Sequence, residues 1–272
     1  MAQTKLKTAF VGCGGIARAH WHGVRYVADR IEVTAVVESH EERLQEFAER
    51  TGAQPFNSLE TALAEGDFDA VDIMLPHNLH ETAAAAAFDA DKHVLLEKPM
   101  AHDLASCERI IARANQSDKI FMIAEQAQYW TDIIKVRELI DAGAIGRVLN
   151  ARACFYDPTV VPEPDQPVPW RYELAKAGGG ISIDGGAHWI RPLRIMLGEI
   201  DEVIAVMGQH IPRMEGESWS QALFRFESGA TAIFDALTKP SPMAPTEMFR
   251  ITGTEGFISE MFKNPQTGFE RK

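Results

Sequence analysis

Thr8-Ala9-Phe10-Val11-Gly12-Cys13-Gly14-Gly15-Ile16-Ala17 decides the fold. A short apolar run stops at a glycine turn and gives way to a helical pattern, so strand, loop and helix N-terminus follow one another within ten residues. Gly12 allows a tight turn, Gly14 lets the backbone approach a pyrophosphate, and Ala17 is small enough for close helix-to-strand packing. The helix beginning beyond Gly15 offers unpaired N–H groups and a positive dipole end to phosphates. A lone Gly-x-Gly-x-x-Ala match is weak; its place between a strand and a helix gives it meaning.

Outward from this loop the pattern repeats. Strands are predicted over Lys7–Gly12, Glu32–Glu38, Ala70–Leu75, His93–Glu97 and Ile120–Ala124, with a shorter one near Gln54–Phe56. Helices are predicted between them near Ile16–Ala28, Glu41–Arg50, Leu79–Asp89 and Leu104–Ala114, with Asn78 and Glu81 spaced as a capping box. Near-continuous Val, Ile and Leu content suits parallel strands covered on both faces, and right-handed crossovers give an α/β, doubly wound Rossmann sheet over residues 1–125.

Beyond Glu125 the grammar changes. One helix is expected over Asp132–Asp141, followed by strands that few helices separate: Val148–Tyr156, Glu202–Gly208, Ser220–Phe226, Ala230–Ala236 and Met248–Thr252. Ser228-Gly229 closes a hairpin, so residues 126–272 read as an α+β domain on a largely antiparallel sheet. Pro158, Pro162, Pro164, Pro167 and Pro169 mark a long loop, of a length that is either functional or disordered, and Trp170 with Arg171 at its end favours the functional reading.

Composition narrows the class. With 272 residues and 46% hydrophobic content the chain can bury two cores, and a net charge of −12 without a basic run argues against nucleic acid. The N-terminal apolar run is too short for a signal core or a membrane span, and Cys13, Cys107 and Cys154 have no metal or disulfide spacing. The expectation is a cytoplasmic protein with no membrane partner and no metal.

Three further features carry chemistry. Glu38 ends the second strand, 21 positions beyond Ala17, where a carboxylate would bind ribose hydroxyls and repel a 2′-phosphate. NAD is therefore expected, while Arg43, Ser39 and His40 keep NADP open. Glu97-Lys98-Pro99 stands at the carboxyl end of a strand, where ligands bind in open α/β sheets, with Pro99 a candidate cis residue that would fix where Lys98 points. Gly178-Gly179-Gly180 precedes Asp184 and His188, four apart and so on one face of a helix, an imidazole beside a carboxylate. Alcohol oxidation needs a base for the hydroxyl proton and a cation for the developing alkoxide.

Gly-x-Gly-Gly-Ile-Ala, Glu97-Lys98-Pro99 and the Gly178–His188 segment together resemble the Gfo/Idh/MocA family of sugar and cyclitol oxidoreductases, as do Leu75–His80 and Gly253–Gly256. The resemblance implies hydride transfer between a secondary alcohol of a sugar, cyclitol or related polyol and a nicotinamide, with substrate between the domains. It gives His188 the role of proton acceptor, Asp184 that of its partner and a hydroxyl ligand, and Lys98 that of polarising the reacting oxygen. Gly12, Gly14, Gly15, Ala17, Glu38, Glu97 and Pro99 would hold the cofactor; Tyr129, Trp130, Trp170 and Arg171 are candidates for the substrate cleft. His77 and His80 flank a turn near the nicotinamide, where a helix-start role serves equally well.

The family also suggests an NAD-dependent glycosidase, and a non-catalytic dinucleotide sensor on the same fold is a third reading, which the presence of Lys98, Asp184 and His188 disfavours. Its sheet often forms a homo-oligomer interface, which is expected here too. Family members commonly continue with further strands and a closing helix after the Gly253–Gly256 segment, whereas this sequence stops at Lys272. The second domain is accordingly expected to be incomplete.

Overall fold

The structure is a computed structural model that describes residues 4–157, 162–238 and 247–261. Pro158 of the proline-rich loop and the end of the chain at Lys272 lie outside the described residues. Two compact units divide the chain, residues 1–124 and 125–272.

In the first unit β1 (Leu6–Val11) leads through the glycine loop into α1 (Gly15–Val24). The chain continues through β2 (Ile31–Val37), α2 (Glu41–Thr51), β3 (Gln54–Phe56), α3 (Leu59–Glu65), β4 (Ala70–Ile73), α4 (His80–Asp89), β5 (His93–Leu96), α5 (Leu104–Asn115) and β6 (Phe121–Ile123). All pairings are parallel and the sheet order is β3-β2-β1-β4-β5-β6. The order reverses between β1 and β4, the switch point at which open α/β sheets bind ligands beyond their carboxyl ends. The first unit is thus the doubly wound sheet that the alternation implied.

Both faces of that sheet are covered. Ala9, Val11, Val71, Ile73, Val94 and Leu96 pack under Ala84, Ala87 and Ile110 on one side, while Phe10 and Val36 meet Ala17, Leu44 and Phe47 on the other. Full burial of side chains of the size of Leu44 or Phe47 contributes about 1.5–3 kcal/mol each. Two local expectations are corrected. α3 was not foreseen; it is short, buries Ala62, and is capped by Ser58, whose hydroxyl accepts the Thr61 N–H at 3.2 Å. The Asn78 and Glu81 capping box does not form: a 3-10 turn over His77–Leu79 takes its place, and Glu81 binds Arg109 at 2.6 Å instead.

The second unit carries α6 (Thr131–Asp141), β7 (Val148–Asp157), α7 (Leu174–Ala177), α8 (Ile181–Asp184), α9 (Ala187–Leu197), β8 (Ile200–Gly208), β9 (Trp219–Phe226), β10 (Thr231–Thr238), β11 (Glu247–Gly253) and β12 (Phe257–Met261). Its sheet runs β12-β11-β7-β10-β9-β8 and is antiparallel except for the parallel pair β7 and β10. Strict alternation along β9 buries Ala222, Phe224 and Phe226 and exposes Gln221, Leu223 and Arg225. Ile133 and Val136 of α6 and Trp189, Leu193 and Met196 of α9 cover the buried face. The opposite face carries a row across the strands, Ile204, Leu223, Ile233, Arg152 and Arg250, set by the pairing register.

Candidate active site

The glycine loop takes its shape from backbone constraints. Gly12 sits at φ +97°, and a Cβ there would stand 2.5 Å from the Met74 carbonyl oxygen, so only glycine fits. Its N–H donates to the Val37 carbonyl at 2.8 Å, tying the turn to β2. Gly14 is the N-cap of α1 and has no side-chain cap, and the positions a Cβ would take at Gly14 and Gly15 are open. An uncapped helix start beside open space is what a bound pyrophosphate needs. Ala17 is fully buried on the sheet side of α1.

Glu38 follows β2 as expected, and its carboxylate is largely buried. Oε2 accepts the Cys13 N–H at 3.1 Å, and Oε1 meets the His40 N–H at 3.0 Å and Arg43 at 3.3 Å. The acid therefore braces the glycine loop. Burial, the Glu38 charge and the Arg43 charge act on the adjacent Cys13 thiol, whose pKa is pushed up to about 12, so it is unreactive packing.

Lys98 follows β5 at the carboxyl edge of the sheet, and the Lys98–Pro99 peptide is cis. Glu97 is 7% exposed and turned inward: Oε2 accepts the Lys98 N–H at 3.0 Å and Oε1 lies 2.9 Å from His20 Nε2. Both oxygens of the Glu97 carboxylate are therefore engaged within the first unit. His80 is buried, with Nδ1 3.0 Å from the Pro99 carbonyl and Nε2 2.8 Å from the Leu75 carbonyl. It packs the turn rather than facing solvent, and burial lowers its pKa despite those carbonyls. His77 is buried beside it.

In the second unit Asp184 and His188 do not share one helix. Asp184 closes α8, Gly185 and Gly186 intervene, and His188 lies in the first turn of α9. A carboxylate the sequence reading did not name meets the imidazole: Glu125 Oε1 is 2.9 Å from His188 Nδ1. Asp184 accepts from Arg171 Nε at 2.8 Å, and the Arg171 guanidinium lies 4.3 Å from the centre of the Trp170 ring. The glycine run serves close backbone approach: a Cβ on Gly180 would collide with the Glu217 backbone. The Glu217 carboxylate accepts the Gly180 and Ser182 N–H groups at 2.8 and 3.0 Å, which fixes the start of α8.

Tyr129 is 60% exposed at the end of a 3-10 turn over Gln126–Tyr129, while Trp130 packs on Trp189 with ring centres 5.6 Å apart. Glu125 and His20 were missed by sequence reasoning. Glu125 had a signal, a carboxylate just past the carboxyl end of a parallel strand; His20 had one too, three residues after Ala17 and therefore on the same side of α1. Among the described residues no group of three or more His, Cys, Asp or Glu is arranged to hold a metal ion, and no helix is long and apolar enough to cross a membrane.

Residues 6–125 match the oxidoreductase family with an NAD-binding Rossmann fold, and residues 133–259 match the Gfo/Idh/MocA C-terminal domain. The chain is 29% identical to the dTDP-3,4-didehydro-2,6-dideoxy-alpha-D-glucose 3-reductase of Actinomadura kijaniata, over 96% of this chain and 77% of the relative. It is 31% identical to the 1,5-anhydro-D-fructose reductase of Ensifer adhaerens, over 91% of this chain and 73% of the relative. Among solved structures, the WlbA dehydrogenase from Bordetella pertussis in complex with NADH and UDP-GlcNAcA superposes with a TM-score of 0.88 at 25% identity, over 95% of this chain and 74% of that one.

Proposed function

Because the chain belongs to the Gfo/Idh/MocA oxidoreductase family, we propose that it transfers hydride between a secondary alcohol of a sugar, cyclitol or related polyol and the nicotinamide of NAD, which it uses in preference to NADP. The observation that carries this reading is the His188–Glu125 pair. A neutral ring that donates its Nδ1–H to a carboxylate bears its lone pair on Nε2, and the same carboxylate stabilises the imidazolium formed when Nε2 takes a hydroxyl proton.

The remaining roles follow from chemistry and position. The uncapped α1 terminus with Gly12, Gly14 and Gly15 holds the pyrophosphate and Glu38 receives the ribose, while the bound nicotinamide supplies the hydride acceptor. Lys98 brings an ammonium to stabilise alkoxide character on the reacting oxygen. Asp184, oriented by Arg171 and Trp170, binds a neighbouring hydroxyl. The same reading assigns the protein to the cytoplasm as a homo-oligomer through the open face of the second sheet, where Ile204 is 72%, Leu223 46% and Ile233 49% exposed.

The test is a panel of sugars, cyclitols and anhydrosugars offered with NAD and with NADP, followed by absorbance of the reduced cofactor. Stoichiometric NADH formation on a polyol is the expected result. Glycoside cleavage without net NADH would replace this reading with a glycosidase, and binding of NAD without turnover of any panel member would replace it with a sensor.

A further inference from the structure

His20, Asp72 and Glu97 form a buried chain of ionisable groups within the first unit. His20 Nδ1 lies 2.7 Å from Asp72 Oδ2 and Nε2 lies 2.9 Å from Glu97 Oε1, with Asp72 3% and Glu97 7% exposed. The three come from different elements: α1, whose N-terminus is the phosphate site, β4 at the switch point, and the end of β5 that carries Lys98. An imidazole can satisfy two carboxylates at once only as the cation, with both ring nitrogens donating. Burial raises the Asp72 pKa even beside His20, which lowers it, and without a cation the two buried carboxylates would also repel one another.

Glu97 is the link that matters. Its second oxygen accepts the Lys98 N–H, so the imidazolium on one side and the Lys98 backbone on the other hold one carboxylate in place. We propose that His20 is a positioning residue: bridged between Asp72 and Glu97, it fixes the carboxylate that holds the Lys98 backbone and so couples the phosphate helix to the turn that aims the Lys98 ammonium. The inference rests on Lys98 acting in the reaction, as proposed above. Burial pulls the His20 pKa down, but the hydrogen bonds and charges of Asp72 and Glu97 outweigh it and raise the ring to about 10, so the cation persists through neutral pH.

The experiment reads the turn without needing a substrate. Lysines of the full chain are reductively dimethylated with ¹³C-formaldehyde, and the Lys98 methyl resonance is assigned by its loss in Lys98→Arg. His20 is followed by ¹⁵N imidazole NMR and assigned by its loss in His20→Gln. The expected result at neutral pH is a doubly protonated His20 and a Lys98 resonance that moves and broadens in His20→Gln, while NADH fluorescence still reports binding. Should His20→Gln fail to fold, Glu97→Gln keeps the side-chain volume and is expected to give the same change at Lys98. A neutral His20, or an unchanged Lys98 resonance in either folded variant, overturns the proposal. Full turnover by Lys98→Arg and Lys98→Ala would instead sink the catalytic reading of Lys98 and leave the NMR result standing.

Discussion

His188 Nδ1 and Glu125 Oε1 stand 2.9 Å apart across 63 residues of sequence, one on α9 and the other just beyond β6. Oε1 also accepts the Ala127 N–H at 2.8 Å, so the carboxylate is anchored before it meets the ring. His188→Ala is expected to slow the chemical step by ~10²–10⁴. Glu125→Gln should slow it by less, because the amide oxygen still accepts from Nδ1 without supplying a charge. Rapid-mixing measurement of NADH formation, with NAD affinity determined in parallel, checks both. Unaltered rates would remove the pair from the mechanism.

Gly12→Ala should destabilise the protein. A non-glycine residue at this φ costs about 1–3 kcal/mol before the clash with the Met74 carbonyl is counted. Urea unfolding reads the stability and NADH fluorescence the phosphate site. Normal values in both would show that the turn has another conformation to adopt.

Glu38→Ala removes the acceptor of the Cys13 N–H and releases Arg43 from its ion pair. The ratio of kcat/KM for NADP to that for NAD is expected to rise about tenfold, equivalent to ~1.4 kcal/mol. A constant ratio would mean that Glu38 braces the loop and does not select the cofactor.

His20 gives stability a distinct pH signature. Its folded pKa of about 10 lies above the ordinary 6.5, so its contribution is complete below about pH 6.5 and is lost as pH rises through about 10. Denaturant titrations at intervals across that window should find the gap between the wild type and His20→Gln closing toward the alkaline end. A gap independent of pH would show that His20 is not the cation between Asp72 and Glu97.

Leu223→Glu and Ile233→Lys probe the open sheet face. If copies of the chain meet there, sedimentation should show the wild type as a larger species and each variant as a smaller one. A wild type already monomeric at micromolar concentration would end the oligomer proposal.

What the sequence made legible was whatever chemistry imposes locally. Alternation in Trp219–Phe226 names the buried face of β9 because the side-chain period of a strand is two, and Gly12 is legible because a backbone turn demands it. α3 and β12 escaped because seven and five residues leave little room for a period, and the Asn78 spacing misled because a 3-10 turn precedes α4 and Arg109 claims Glu81. The site divides in the same way. Lys98, Asp184 and His188 stand in recognisable motifs, whereas Glu125 beside His188 and His20 beside Glu97 are joined across 63 and 77 residues, where no local pattern announces a partner.

The parallel pairing of β7 and β10 has a consequence for synthesis. β7 occupies the interior of its sheet, yet both of its neighbours, β10 and β11, are encoded after it. While the ribosome works through the helices and the β8–β9 hairpin, at about 5–20 residues per second, β7 waits for several seconds with neither edge paired. Its alternate apolar residues, Ala151, Ala153 and Phe155, are then the surface on which a chaperone, or another nascent chain, finds its first hold.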